Sequence, residues 1–306
     1  MRKFIAKIIL FGVILLGVLG GVYYCWFSQP KPIVKIQKRN IIIGDSNTRW
    51  SIDDKILKDY ANYSTGGELY IFAYRKLKIL NEHNKIDTLL LSFSPHNLIN
   101  NGWWVDDGTK PVENRMPSFY LDYSKEEHLD FFKSIPKSYI RSILKIGDSK
   151  FRNLFSMRRK FEWGGVNNDM FRFGSYIPSY QNELQLEFKF IEYKTPKITK
   201  EEVKYIKKII EECKEKGIHL ILIQPPKNYL RKDYKNYMHP EFYEYYNEHF
   251  SAIDFLDFSE LQLPPHAYCD MMHVDIVGAE YFSNFLNNNG IGNLLKSNYN
   301  LKNRIK

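Results

Sequence analysis

The chain has 306 residues and a mass of 36.4 kDa, which allows one large domain or two small ones and a sizeable buried core. Hydrophobic residues at 44% and charged residues at 26% are near the globular average and exclude a disordered tether or a fibre. The formal net charge is +9, but Arg2, Lys3 and Lys7 precede the first apolar stretch. Beyond residue 30 stand 41 basic against 35 acidic residues, an excess too diffuse for a nucleic-acid footprint.

Residues 8–27 are twenty consecutive residues without a charge. As a helix this stretch spans a hydrocarbon core of about 30 Å. Tyr23, Tyr24 and Trp26 follow at its far end, where amphipathic rings favour the membrane interface. The run exceeds the apolar region of a cleaved leader, and no A-x-A site follows. An uncleaved single-pass anchor is expected over 1–29. The flanking charges, Arg2, Lys3 and Lys7 against Lys31, Lys35, Lys38 and Arg39, nearly cancel as an orientation signal. Long domains translocate largely regardless of charge, so the remainder is expected outside the cytoplasm, periplasmic or at the cell surface. Of the three cysteines, Cys25 falls in the anchor. Cys213 and Cys269 are open to a disulfide or to two free thiols, and the spacing favours thiols.

After a linker at 30–39, strands and helices alternate. Asn40–Ile43 reads as a strand, residues 47–58 as a helix carrying Trp50, Ile52, Ile56 and Leu57, and Tyr60–Tyr63 as a second strand. Gly66-Gly67 opens a helix through about Asn81, and Thr88–Phe93 reads as a buried parallel strand. Residues 98–198 break this rhythm and form an insertion with amphipathic helices near 124–146 and 150–161. Thr199 and Glu202 predict a capping box, and Gly217 ends the helix that follows. Ile218–Gln224 and Ala252–Leu256 are strands, with helices near 239–250 and 276–288. The tail 296–306 is polar and basic, and reads as loose. The whole predicts an α/β fold of three αβα layers with a mostly parallel sheet over 40–295. Ligands then bind beyond the carboxyl ends of the strands, in the turns after residues 43, 63, 93, 224 and 256.

Two of those places carry chemistry. After the first strand stands Gly44-Asp45-Ser46-Asn47, a serine presented at the sheet edge where a helix begins. Before the last helix stands Asp270-Met271-Met272-His273. A carboxylate three residues from an imidazole can fix its tautomer and leave the other nitrogen free to take a serine proton. Alone, the first motif reads more readily as an ordinary N-cap, and the second as an ordinary Asp–His contact at a helix start.

Together they resemble the SGNH (GDSL-type) hydrolase superfamily. Gly44-Asp45-Ser46 is similar to its nucleophile block, and Asp270-x-x-His273 to its acid–base block. The resemblance covers about residues 40–97 and 199–288. It implies Ser46 as nucleophile, His273 as base and Asp270 as the group that orients it. The oxyanion donors it implies are the N–H of Ser46, Gly66 or Gly67, and the Asn97 side chain. The third block departs from the family pattern: Ser94-Pro95-His96-Asn97-Leu98 has Pro95 and Leu98 where the family has Gly and Asp. His96 is a further candidate donor, and Asp45, Asn47, His96, Trp103 and Trp104 are candidate substrate contacts. The anchor, the altered block and the insertion resemble envelope branches of that family, the D-alanyl-teichoic acid transfer proteins and the alginate O-acetyltransferases. That resemblance implies an esterase or O-acyltransferase without a cofactor or metal. It would act on an acylated polysaccharide or other envelope polymer, beside a multi-spanning membrane acyltransferase.

Two rivals stay open. A catalytically inactive SGNH-like subunit could bind polymer or assist assembly. A metal-dependent hydrolase could use Asp45, His96, Asp270, His273 and Asp275, although no H-x-H or H-E-x-x-H spacing occurs. Trp163 and Phe173 could stack on sugar rings or pack the insertion. Lys227 and Tyr229 could contact ligand, and His266 reads as structural.

Overall fold

The computed structural model of the chain describes residues 1–27, 35–98, 116, 119, 123–144, 198–228, 240–269 and 273–303. Its chain contacts divide into two units, Met1–Ile33 and Val34–Lys306. The first is one helix, α1 (Arg2–Phe27), of 26 residues. Within it Lys3–Gly21 has a mean hydropathy of 2.4 and is long and apolar enough to cross a membrane.

In the second unit, runs of Ile, Leu and Phe form a sheet because such side chains can be buried on both of its faces. The strands are β1 (Asn40–Ile43), β2 (Tyr60–Asn62), β3 (Thr88–Ser92), β4 (His219–Gln224) and β5 (Asp254–Asp257). All pairings are parallel, in the order β2-β1-β3-β4-β5. Ile42 lies opposite Asn62 on one side and Leu90 on the other, and Leu90 lies opposite Ile221. The helices are α2 (Ser46–Ser51), α3 (Tyr70–Glu82), α4 (Pro95–Leu98), α5 (Lys125–Ser134), α6 (136–144), α7 (Lys200–Lys216), α8 (Pro240–His249), α9 (Ile276–Asn289) and α10 (Ile291–Leu294).

Alternate strand residues feed two cores. Ile41, Ile43, Leu89, Leu91 and Leu222 pack with Phe72 and Leu77 of α3, Ile206 and Ile209 of α7, and Phe242 of α8. Ile42, Leu90, Ile221, Ile223 and Leu256 pack on the other face with Phe282 and Leu286 of α9. Each such side chain contributes roughly 1.5–3 kcal/mol by leaving water. With β2 on one side of β1 and β3 on the other, the connections run in opposite directions from β1. The crevice for a ligand therefore opens beyond the carboxyl ends of β1 and β3.

Several local expectations are revised. The helix foreseen over 47–58 ends at Ser51, because the Asn62 side chain donates to the carbonyls of Thr48 (3.1 Å) and Ile52 (2.8 Å). Thr199 makes no side-chain cap, and no capping box forms. Glu202 instead accepts from the Tyr70 N–H at 2.8 Å, across to the start of α3. That helix begins at Tyr70, later than Gly66-Gly67 suggested. The helix foreseen over 124–146 is divided at Ile135 by Pro136, since a residue before proline is driven out of the helical region. Its partner at 150–161, with nearly all of the rest of the insertion, lies outside the described residues. Residues 297–303 of the tail expected to be loose line β5: the Asn300 side chain accepts from the Phe255 N–H (3.1 Å), and the Asp257 N–H donates to Tyr299 (2.9 Å). Cys213 and Cys269 are free, buried thiols, and burial raises that of Cys213 to about 12.

Candidate active site

The turn after β1 is tight. A Cβ on Gly44 would come to 2.3 Å from both Ser92 Cβ and Thr48 Oγ1, so only glycine lets β1, β3 and α2 converge there. Asp45 caps α2 by accepting from the Asn47 N–H at 3.0 Å. Ser46 then stands at the helix start, partly exposed, between two buried neighbours.

Those neighbours form a buried polar network. The Asp45 carboxylate also accepts from Asn47 Nδ2 (3.3 Å), Ser92 Oγ (3.2 Å), Asn97 Nδ2 (3.0 Å) and His96 Nε2. Lys227 Nζ donates to Asn47 Oδ1 at 3.0 Å, which fixes the amide with its nitrogen towards Asp45. Ser94 Oγ lies 2.8 Å from both His96 Nδ1 and Asn97 Oδ1. Burial alone would raise the Asp45 carboxyl. The charges of His96 and Lys227, with hydrogen bonds from His96 and Asn97, outweigh it and hold the group far below the usual carboxylate range. Burial lowers the His96 pKa against the pull of Asp45, and the Lys227 charge adds to the lowering. The Asp45 carboxylate is thus held ionised at the centre of this network.

His273 arrives from the far end of the chain. The Cys269 N–H donates to its carbonyl (3.1 Å), and an antiparallel bridge joins Tyr268 to Val274. Asp275 caps α9 by accepting from the Gly278 N–H at 2.9 Å. A Cβ on Gly278 would fall 2.2 Å from the Ala267 carbonyl oxygen, so this glycine lets the loop seat on the helix. The imidazole meets Trp50 edge-on, with centroids 4.2 Å apart. Its Nε2 lies 2.9 Å from Ser46 Oγ, across 227 positions of sequence. With Nε2 accepting from the hydroxyl, the ring is oriented to take the Ser46 proton.

The β2–α3 loop completes this face. The Thr65 N–H donates to the Gly44 carbonyl at 2.8 Å. A Cβ on Gly66 would lie 3.8 Å from that of Ser46, so the Gly66 backbone flanks the hydroxyl, and Gly67 follows at φ +64°. Beneath the loop, Lys76 is fully buried and donates to the Tyr63 carbonyl (2.7 Å), Thr65 Oγ1 (2.9 Å) and Glu68 (2.6 Å).

Ser46, His273, Gly66 and His96 thus converge. Asp45 and Asn47 do not face a substrate: each is 3% exposed, and a carboxylate ringed by donors has no lone pair to spare. Asn97, expected at an oxyanion, directs its amide to Asp45 instead. Lys227 is 3% exposed and turned to Asn47, so it supports the network from below. Asp270, Trp103, Trp104, Trp163, Phe173 and Tyr229 lie outside the described residues. Sequence reasoning passed over Ser92, a lone polar residue closing an apolar run, and assigned Trp50 to a helix face without seeing that it is four residues from Ser46. Among the described residues, no group of three or more His, Cys, Asp or Glu side chains is placed to hold a metal ion.

A protein-family model that names no activity matches residues 188–296, about a third of the chain. No curated protein matches. A solved structure described as "a putative platelet activating factor from Streptococcus pneumonia" is similar at 12% identity and a TM-score of 0.40. The match covers 84% of this chain and 85% of that one.

Proposed function

We propose that the chain is a membrane-anchored serine esterase or O-acyltransferase of the SGNH type, acting on O-acyl esters of an envelope polysaccharide outside the cytoplasm. The observation that carries this reading is the 2.9 Å contact between Ser46 Oγ and His273 Nε2 at the carboxyl ends of the strands. Ser46 Oγ bonds to the acyl carbon while its proton passes to His273. The ester C–O bond breaks, and His273 returns that proton to the leaving alkoxide. Water or a sugar hydroxyl then gives its proton to His273 and attacks the acyl-serine, and Ser46 recovers its hydrogen. Asp270 would orient His273. The N–H groups of Ser46 and Gly66 would hold the oxyanion, a role in which Asn97 is replaced because its amide serves Asp45. An O-acyltransferase would draw on a multi-spanning membrane partner for its acyl group.

The engaged Asn97 amide favours one second reading, an inactive polymer-binding subunit. A fluorophosphonate probe separates the two. Labelling lost in Ser46→Ala supports the enzyme, and an unlabelled protein that retains polymer supports the subunit. On p-nitrophenyl acetate, Ser46→Ala is expected to lower the rate on the order of 10³-fold or more. Wild-type turnover by the variant would remove the catalytic assignment.

A further inference from the structure

The exposed stripe of α2 has three members. Asn47, Thr48 and Ser51 are buried, while Ser46, Arg49 and Trp50 are partly exposed. The offsets of three and four residues put Ser46, Arg49 and Trp50 on one face of the helix. Two of them, Ser46 and Trp50, meet His273. The third has no partner among the described residues: Arg49 Nε is buried without a hydrogen bond, and no ion pair or ring contact ends on its guanidinium.

This isolation is unusual for arginine. A buried N–H without an acceptor is a standing cost, and half-buried guanidinium groups normally find a carboxylate. The acids nearest in sequence are engaged elsewhere. Asp45 is ringed by donors, Asp53 accepts from the Lys55 N–H (2.9 Å), and Asp54 accepts from the Asn62 N–H (2.9 Å). The five donors of a guanidinium suit a planar carboxylate or a phosphate oxygen pair, and Arg49 stands one helical turn from the proposed nucleophile.

We infer that Arg49 is a subsite for an anionic group, carboxylate or phosphate, on the ester the protein acts on. This rests on the reading of Ser46 as nucleophile. It adds that the substrate carries negative charge close to the scissile ester, and that Arg49 sets this preference.

The test uses the full-length protein in detergent and three p-nitrophenyl esters: the neutral acetate, the succinate monoester with its free carboxylate, and a phosphoacetate. The readout is the ratio of kcat/KM for each charged ester to that for acetate, in wild type, Arg49→Leu and Arg49→Lys. A ratio on one enzyme sample is independent of the fraction folded. The expected result is a ratio that falls about ten- to a hundredfold in Arg49→Leu, mainly through KM, and is partly restored in Arg49→Lys. The charged ester with the larger fall identifies carboxylate or phosphate as the recognised group. Turnover of all three esters with unchanged ratios in Arg49→Leu overturns the subsite while leaving Ser46 as nucleophile. Absence of turnover on every ester, with no fluorophosphonate labelling, removes both.

Discussion

Replacing Asp45 by asparagine tests whether a buried carboxylate organises this site. The substitution keeps the shape and removes the charge. In the wild type the carboxylate accepts from the Asn47 N–H, Ser92, His96 and Asn97, and Lys227 lies one amide away. An asparagine would turn one of its two ends, now an NH2, towards those donors and remove the negative charge that pairs with His96 and faces the Lys227 ammonium, 3% exposed. Removing one partner of a buried pair typically costs about 3–5 kcal/mol. At roughly 2–4 °C per kcal/mol for a domain of this size, that lowers Tm by about 6–20 °C. The sign of the pH dependence follows from the depressed Asp45 pKa. A carboxyl lower in the folded than in the unfolded state stabilises fully above the unfolded value of about 3.9, and loses that contribution as pH falls towards the folded value. Wild type and Asp45→Asn should therefore differ by a constant amount between about pH 5 and 8 and converge below about pH 4. Urea unfolding of full-length protein in detergent across that range measures the gap. A variant within about 0.5 kcal/mol of wild type at pH 7, or a gap that widens in acid, would refute the ionised hub.

Two further outcomes follow from packing. Gly44→Ala forces a methyl to 2.3 Å from Ser92 Cβ, so β1 and β3 must part at their carboxyl ends. About 1–3 kcal/mol of stability should be lost, and on the proposed reading of Ser46 as nucleophile, turnover of p-nitrophenyl acetate should fall in the fraction that remains folded, measured as kcat on active-site-titrated protein. Lys76→Met removes the buried cation that pairs with Glu68 beneath the Gly66 loop and should cost about 3–5 kcal/mol, whereas Glu68→Leu combined with Lys76→Met should recover most of it. Thermal melts of the two variants check this, and a double variant no more stable than the single one would speak against a charge-burial cause.

Much of the framework could be read from neighbouring residues. The anchor-like helix needs only an uninterrupted apolar run. Thr88–Ser92 and His219–Gln224 are strands because consecutive Leu and Ile residues leave no polar face, and Gly217 closes α7 at φ +65°, where other residues are strained. Ser46 and His273 stood out by residue type and by their places at element boundaries. What one stretch of chain cannot encode is which distant group completes it. Glu202 satisfied Tyr70 instead of its own helix, Asn62 truncated α2, and Asn300 moved the tail onto β5. The donors around Asp45 come from the ends of β1 and β3, and Lys227 behind them from beyond β4, and these lie together only because the strand order makes β1, β3 and β4 neighbours. A buried charge takes whichever donors the folded chain brings within about 3 Å, and that choice belongs to the crossovers between strands. Local pattern thus determined the elements and the reactive residue types. The tertiary arrangement decided their partners, and left Arg49 beside Ser46 with none among the described residues.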